Sequence, residues 1–135
     1  MPYHEMPKRD PFVSAIFLTF SGNCKEALTF YQTCFGGTMQ LEVFDQQLQG
    51  YTSMPVIKGS LIADTITIHA SDLVHNEGRI LGNYMAIFMA FKSVDARSAL
   101  IEKLQVNQKL PRAKNDETAL IEITDVFDVR WILQA

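Results

Sequence analysis

Hydrophobic and polar positions follow two rhythms along this chain, one of period two and one of helical period. Phe12 to Phe20, FVSAIFLTF, is β-branched and aromatic with almost no polar interruption, which predicts a strand covered on both faces. Ser21-Gly22-Asn23 breaks it. Asn23 and Glu26 have the spacing of a capping box, and Ala27, Phe30, Tyr31 and Cys34 recur at helical intervals until Gly36-Gly37. This predicts a helix over 23–35 with a glycine C-cap. Thr38 to Asp45 alternates as a strand does, and Gln46 to Pro55 is a polar loop. Val56 to Ile62 and Thr65 to Ala70 predict a hairpin turning at Ala63-Asp64. The opening MPYHEMPKRDP, with three prolines and mixed charge, is set apart as an N-terminal arm over 1–11.

The second half repeats the first at an offset of 71 residues: Ala15-Ile16-Phe17 recurs as Ala86-Ile87-Phe88, and Phe20 recurs as Phe91. In both copies a polar break leads into an amphipathic helix. The second helix is predicted over 94–105, with Ala96, Ala99, Leu100 and Leu104 on its apolar face. A short strand near Gln108 to Leu110 follows. A terminal hairpin closes the chain, Ala119 to Thr124 and Val129 to Leu133, turning at Asp125-Val126-Phe127-Asp128. Each half reads β-α-β-β-β, module one over about 12–72 and module two over about 83–134. Neither half is large enough for a stable core alone, so the two are expected to close their sheets side by side around a shared concavity.

Composition narrows the classes. A chain of 135 residues, 47% hydrophobic and 20% charged, has the length and apolar content of one globular domain, here 12–135. A formal charge of −3 argues against a surface that binds nucleic acid through phosphate contacts. The longest run without a charged residue, Ala27 to Leu41, is too short and too polar to span a bilayer, and Met1 to Asp10 lacks the apolar core of a secretory signal. Cys24 and Cys34 fall ten positions apart in one predicted helix, about 15 Å, too far to bridge. Free thiols without a signal peptide point to the cytoplasm, and both cysteines read as buried structural residues.

The run Phe17 to Gly37, FLTFSGNCKEALTFYQTCFGG, resembles the opening of the PhnB-like branch of the glyoxalase/bleomycin-resistance/dioxygenase (vicinal oxygen chelate) superfamily. Ile123 to Leu133, ITDVFDVRWIL, is similar to the closing hairpin of that branch, and the hairpin ending IHASD, Ile68 to Asp72, fits it as well. The resemblance implies an α+β fold of two βαβββ modules whose curved mixed sheets surround a concave pocket. It also implies a homodimer in which modules of two chains complete each site.

In metal-dependent members of the superfamily, His and Glu side chains from the first and last strands of each module hold one divalent ion. That ion stabilises an oxyanion while a carboxylate moves the proton. Carried onto this chain, the ligand positions fall at Ile16, within Ile87 to Met89, and at Trp131, none of which offers a lone pair to a hard cation. His69 alone stands at a competent position, and it reads either as a hydrogen-bonded core histidine or as a ligand-binding or acid/base group. Strand parity sets Thr65, Thr67 and His69 on one face and Ile66 and Ile68 on the other. The string HASDLVHNE, with Asp72, His75 and Glu77, has the look of a metal cluster, but it falls in the expected crossover loop, where polar residues face solvent. The His-Ala-Glu-Leu stretch of PhnB-like proteins is replaced by Lys58-Gly59-Ser60-Leu61, and their Trp-Gly by Asp116-Glu117. Lys58 is an anion-binding candidate or an edge-protecting lysine. Tyr84 and Trp131 are candidate pocket walls, with core packing the alternative for Trp131, and Glu122, between Ile121 and Ile123, alternates outward.

The expected function is a metal-free small-molecule-binding protein, without cofactor, with His69, Thr67, Tyr84, Trp131 and Lys58 as ligand-binding candidates and His69 the candidate base. The alternative is a divergent lyase, isomerase or dioxygenase using a divalent metal or His69. A purely structural protein with a filled cavity ranks behind both. The expected partners are a second copy of the chain and a small organic molecule. No glycine-rich nucleotide loop follows a strand, so a methyl-donor fold is not indicated.

Overall fold

The computed structural model describes residues 14–45, 55–72, 81–106 and 120–135. The first module contains β1 (Ile16–Thr19), α1 (Cys24–Phe35), β2 (Thr38–Val43), β3 (Val56–Ile62) and β4 (Thr67–Ser71). The second contains β5 (Ile87–Ala90), α2 (Val94–Leu104), β6 (Leu120–Thr124) and β7 (Arg130–Gln134). The sheets run β1-β4-β3-β2 and β5-β7-β6. In each, the strand before the helix pairs in parallel with the last strand of its module, Ile16 beside Ile68 and Ile87 beside Trp131. The 71-residue repeat is therefore a repeat of pairing as well as of sequence. The expected arm over 1–11, the strand near 108–110, His75, Glu77 and Asp116-Glu117 lie outside the described residues.

Local expectations are corrected at several points. β1 is shorter than Phe12 to Phe20 and is an edge strand with Phe17 52% exposed, so the apolar run is not covered on both faces among the described residues. β4 starts at Thr67 and not at Thr65, because the Ala63 N–H bonds to the Ile66 carbonyl and draws Thr65 and Ile66 into the turn. Asn23 makes no side-chain cap bond. Asp72 caps α1 instead: Oδ1 accepts from the Gly22 and Cys24 N–H groups at 2.7 and 3.2 Å, while Oδ2 accepts from Val56 N–H at 3.0 Å. At 3% exposure, Asp72 is not a solvent-facing loop residue. It satisfies orphan amides at the helix start from a distant strand end.

α2 is capped by Ser93, whose Oγ accepts from Ala96 N–H at 3.1 Å. Its buried face comprises Arg97, Leu100, Ile101 and Leu104, whereas Ala96 and Ala99 are exposed. The helix is thus rotated from the expected stripe, since Arg97 turns inward and donates from Nη1 to the Leu133 carbonyl.

A single core joins the modules, and α1 is its centre. One side of α1 packs on β3, β2 and β4. Gly59 of β3 allows this approach, because a Cβ there would come within 2.5 Å of Leu28 Cδ1 and 3.0 Å of Leu41 Cδ2. Toward the second sheet, Tyr31 and Phe35 pack on Trp131, with ring centroids 5.9 and 5.4 Å away, and Phe127 meets Phe20, Phe30 and Tyr31. Cys24 and Cys34 are both buried and free. The chain therefore brings together the helix-side faces of its two sheets. No described helix is long and apolar enough to cross a membrane.

Candidate functional site

Strand parity divides each sheet. In the first, Ile68, Ala70, Leu61 and Gly59 face the helix side, and the residues between them form the outward face. Pairing sets Gln40, Ser60, His69 and Phe17 side by side across β2, β3, β4 and β1. Ser60 Oγ and His69 Nδ1 are hydrogen-bonded at 2.8 Å. Nδ1 of the half-buried imidazole is thus held by Ser60, and no hydrogen bond engages the other ring nitrogen among the described residues. Thr67 lies on the same face of β4, and exposed Lys58 stands opposite Glu42 one row away.

The equivalent row of the second sheet is Glu122, Ile132 and Phe88. Ile132 occupies the place of His69, Glu122 that of Ser60, and Phe88 that of Phe17. Glu122 accepts from Arg130 Nη2 at 2.6 Å and from Nε at 3.0 Å, and Arg130 also bonds the carbonyls of Asn83 and Met85. The arginine ties the approach to β5 onto the outward face.

This register corrects the ligand positions by one residue. Ile16 and Trp131 point to the helix side, so the outward positions are Phe17 on β1, His69 on β4, Phe88 on β5 and Ile132 on β7. Three of these four side chains have no donor atom, and one imidazole cannot hold a divalent ion alone. The described residues do not fit the metal held by metal-dependent members of the superfamily. Among the described residues no three His, Cys, Asp or Glu side chains form a metal-holding group.

Neither of the two cavities lined by described residues gathers the candidate residues together. Trp131 is wholly buried, with Nε1 donating to Asp125 Oδ2 at 2.9 Å, so the indole has no free face with which to wall a pocket. Tyr84 is 86% exposed ahead of β5 and lines neither cavity formed by the described residues. Thr67 lines a cavity of about 370 Å³ between the start of β1, the Ala63–Thr67 turn and β5, but His69 and Lys58 do not. Asp125 was missed as a key residue because a turn aspartate is usually a local turn-former. Its Oδ1 does bond the Phe127 and Val129 N–H groups, but Oδ2 reaches Tyr31 and Trp131. The same turn holds Asp128 at φ 66, where glycine is the usual occupant.

The outward faces are uncovered among the described residues: Phe17, Ile62, Phe88 and Leu120 are each more than half exposed. Both cysteines are chemically quiet. Burial, assisted by the charge of Asp72, pushes the Cys24 thiol up to about 12. Burial pushes Cys34 up to about 11, with Asp125 adding to the rise and Thr33 and Lys103 opposing it.

No family model and no curated protein matches the chain. Solved structures do. Protein PA1353 of Pseudomonas aeruginosa superposes with a TM-score of 0.66 at 22% identity over 90% of this chain and 97% of its own. The PhnB protein of Bacillus cereus, described as a putative 3-demethylubiquinone-9 3-methyltransferase, gives 0.64 at 17% identity, with the same coverage. The fosfomycin resistance protein FosX of Listeria monocytogenes gives 0.55 at 16% identity over 94% of this chain and 92% of its own. With its duplicated pairing register and these neighbours, the chain has the glyoxalase/bleomycin-resistance fold.

Proposed function

We propose that this protein binds a small organic molecule without a metal ion, and does so as a homodimer. The outward face of the first sheet in one protomer meets that of the second sheet in its partner. The observation that carries this reading is the matched pair Phe17 and Phe88. Each occupies the outward position of the first strand of its module, each is more than half exposed, and neither can ligate a cation. Apolar side chains left open on two equivalent faces favour burial against a second surface. Between those faces His69, held by Ser60, and Thr67 supply polar handles, with Lys58 at the margin for an anionic group. Phe17, Phe88 and Ile132 supply walls.

The fold neighbour named for fosfomycin resistance is in keeping with a small-molecule role. Methyltransfer has no support in the described residues, where no strand runs into a glycine-rich loop at a helix start.

Light scattering, elemental analysis and native mass spectrometry of protein purified without chelators test the proposal together. The expected results are the mass of two chains, no stoichiometric metal, and a co-purified organic mass that is lost in His69→Ala. The interface should exceed roughly 1,000 Å². One tightly held ion per chain, or turnover of methylglyoxal with glutathione that nickel or zinc stimulates and His69→Ala abolishes, overturns the metal-free reading. A monomeric mass at micromolar concentration overturns the dimer.

A further inference from the structure

A second groove lies apart from the face that carries His69, where α1 ends beside β5 and α2. It encloses about 460 Å³, and Phe35, Met89, Phe91 and Leu100 line it. That volume falls within the roughly 300–1,000 Å³ typical of small-molecule sites. Its helical wall exists because α2 is rotated from the stripe that the sequence suggests. Ala96 and Ala99, three positions apart on one face, line the groove and stay exposed, so two methyl groups stand where larger side chains would close it.

The charge is one-sided. Among the described residues Lys103, one turn beyond Ala99, is the only charged residue lining the groove, and no carboxylate lines it. Cys34 is also in the wall, and its buried thiol stays neutral, so it extends the apolar surface. Mostly apolar side chains with one ammonium and, among the described residues, no second cation suit a singly charged anion with a hydrocarbon body. A bare inorganic anion would leave the walls unfilled. A neutral hydrocarbon would leave the ammonium unpaired, although still in water.

We propose that this groove binds a medium-length, unbranched carboxylic acid, with its chain laid along the alanine side of α2 and its carboxylate on Lys103. Neither His69 nor Ser60 lines it, and it meets the proposed ligand face only at Phe88, which borders both.

Decanoate, decanol and decylamine are the probes, titrated by calorimetry and by fluorescence of the single tryptophan. Trp131 packs on Phe35 with ring centroids 5.4 Å apart, so a ligand against Phe35 should alter its emission. Decanoate is expected to bind saturably and most tightly. Lys103→Met, a change at an exposed position, should weaken decanoate about fivefold and leave decanol within about twofold. Ala99→Phe should weaken both about tenfold by filling the groove, whereas His69→Ala should leave both within about twofold. Binding of decanol as tight as that of decanoate overturns the proposal, as does indifference of decanoate to Lys103→Met or Ala99→Phe. It also fails if Lys103→Met changes the mass seen by light scattering, for the groove is then a contact between copies of the chain.

Discussion

Tyr31 of α1 donates its phenolic hydrogen to Oδ2 of Asp125, 94 positions along the chain, at 2.6 Å. The same oxygen accepts from Trp131 Nε1 at 2.9 Å, so one buried carboxylate fastens the helix of the first module to the last hairpin of the second. Asp125→Ala would remove the acceptor of a buried hydroxyl, a buried indole N–H and two turn amides. We expect a loss of about 3–5 kcal/mol, against about 1 kcal/mol for Tyr31→Phe, in urea unfolding. A smaller loss for Asp125→Ala than for Tyr31→Phe would show that the carboxylate is not the fastening.

Capping of α1 distinguishes a local bond from a distant one. Asn23 offers its backbone carbonyl to Ala27 N–H, but Asp72 satisfies the Gly22, Cys24 and Val56 amides. Asp72→Ala should therefore cost about 2 kcal/mol or more, and Asn23→Ala no more than about 0.5 kcal/mol. Thermal unfolding of the two variants checks the order, and equal losses would restore Asn23 as the cap.

The contrast between Asp72 and Asn23 shows what was legible in the sequence. Periodicity located both helices, and the recurrence of Ala-Ile-Phe located the duplicated strands, because those signals are local in the chain. Parity on β4 likewise separated His69 from Ile68. Sequence spacing carries no record of pairing across sheets, so the ligand positions fell one residue off at Ile16 and Trp131. The cap made by Asp72 and the link from Asp125 to Tyr31 depend on atoms brought in from 16 to 94 positions away. The rotation of α2 was hidden for a related reason: alanine counts as apolar in a helical stripe, but Arg97 finds the Leu133 carbonyl and takes the inner side. Tyr84 could be placed on the chain but not in space, since nothing in a tyrosine's neighbours specifies enclosure.

The thiols predict a pH dependence of stability. Burial raises both above the ordinary value of 9.0, Cys24 to about 12 and Cys34 to about 11. The folded state therefore keeps protons that the unfolded state releases. Their contribution is fully present below about pH 9 and is lost as pH rises through the folded values, by at most about 1.4 kcal/mol per pH unit for each thiol. Unfolding free energies at pH 8 and pH 10 should fall less steeply in Cys24→Ala than in the parent chain. Equal slopes would mean that the buried thiol does not titrate with unfolding. Iodoacetamide at pH 8 should label neither cysteine without prior unfolding.

Ser60 offers the closest test of the outward face. Its hydroxyl, 2.8 Å from Nδ1, constrains how the His69 ring can turn and which nitrogen is left for a partner. Ser60→Ala removes that constraint at a cost of roughly 1 kcal/mol in stability. Nitrogen NMR should show the His69 Nδ1 resonance displaced in Ser60→Ala and returned toward its parent position in Ser60→Thr. A core histidine held only by packing would give the same spectrum in all three. Because Ile132 takes the place of His69 on the second sheet, substitution there should leave the His69 resonances unchanged in an isolated chain. In a dimer that opposes the two faces, Ile132→Glu would set a carboxylate near the imidazole and shift its nitrogen resonances. The shift should appear only at concentrations where two chains associate, so a dilution series read by NMR and light scattering connects the histidine's state directly to the pairing of the faces.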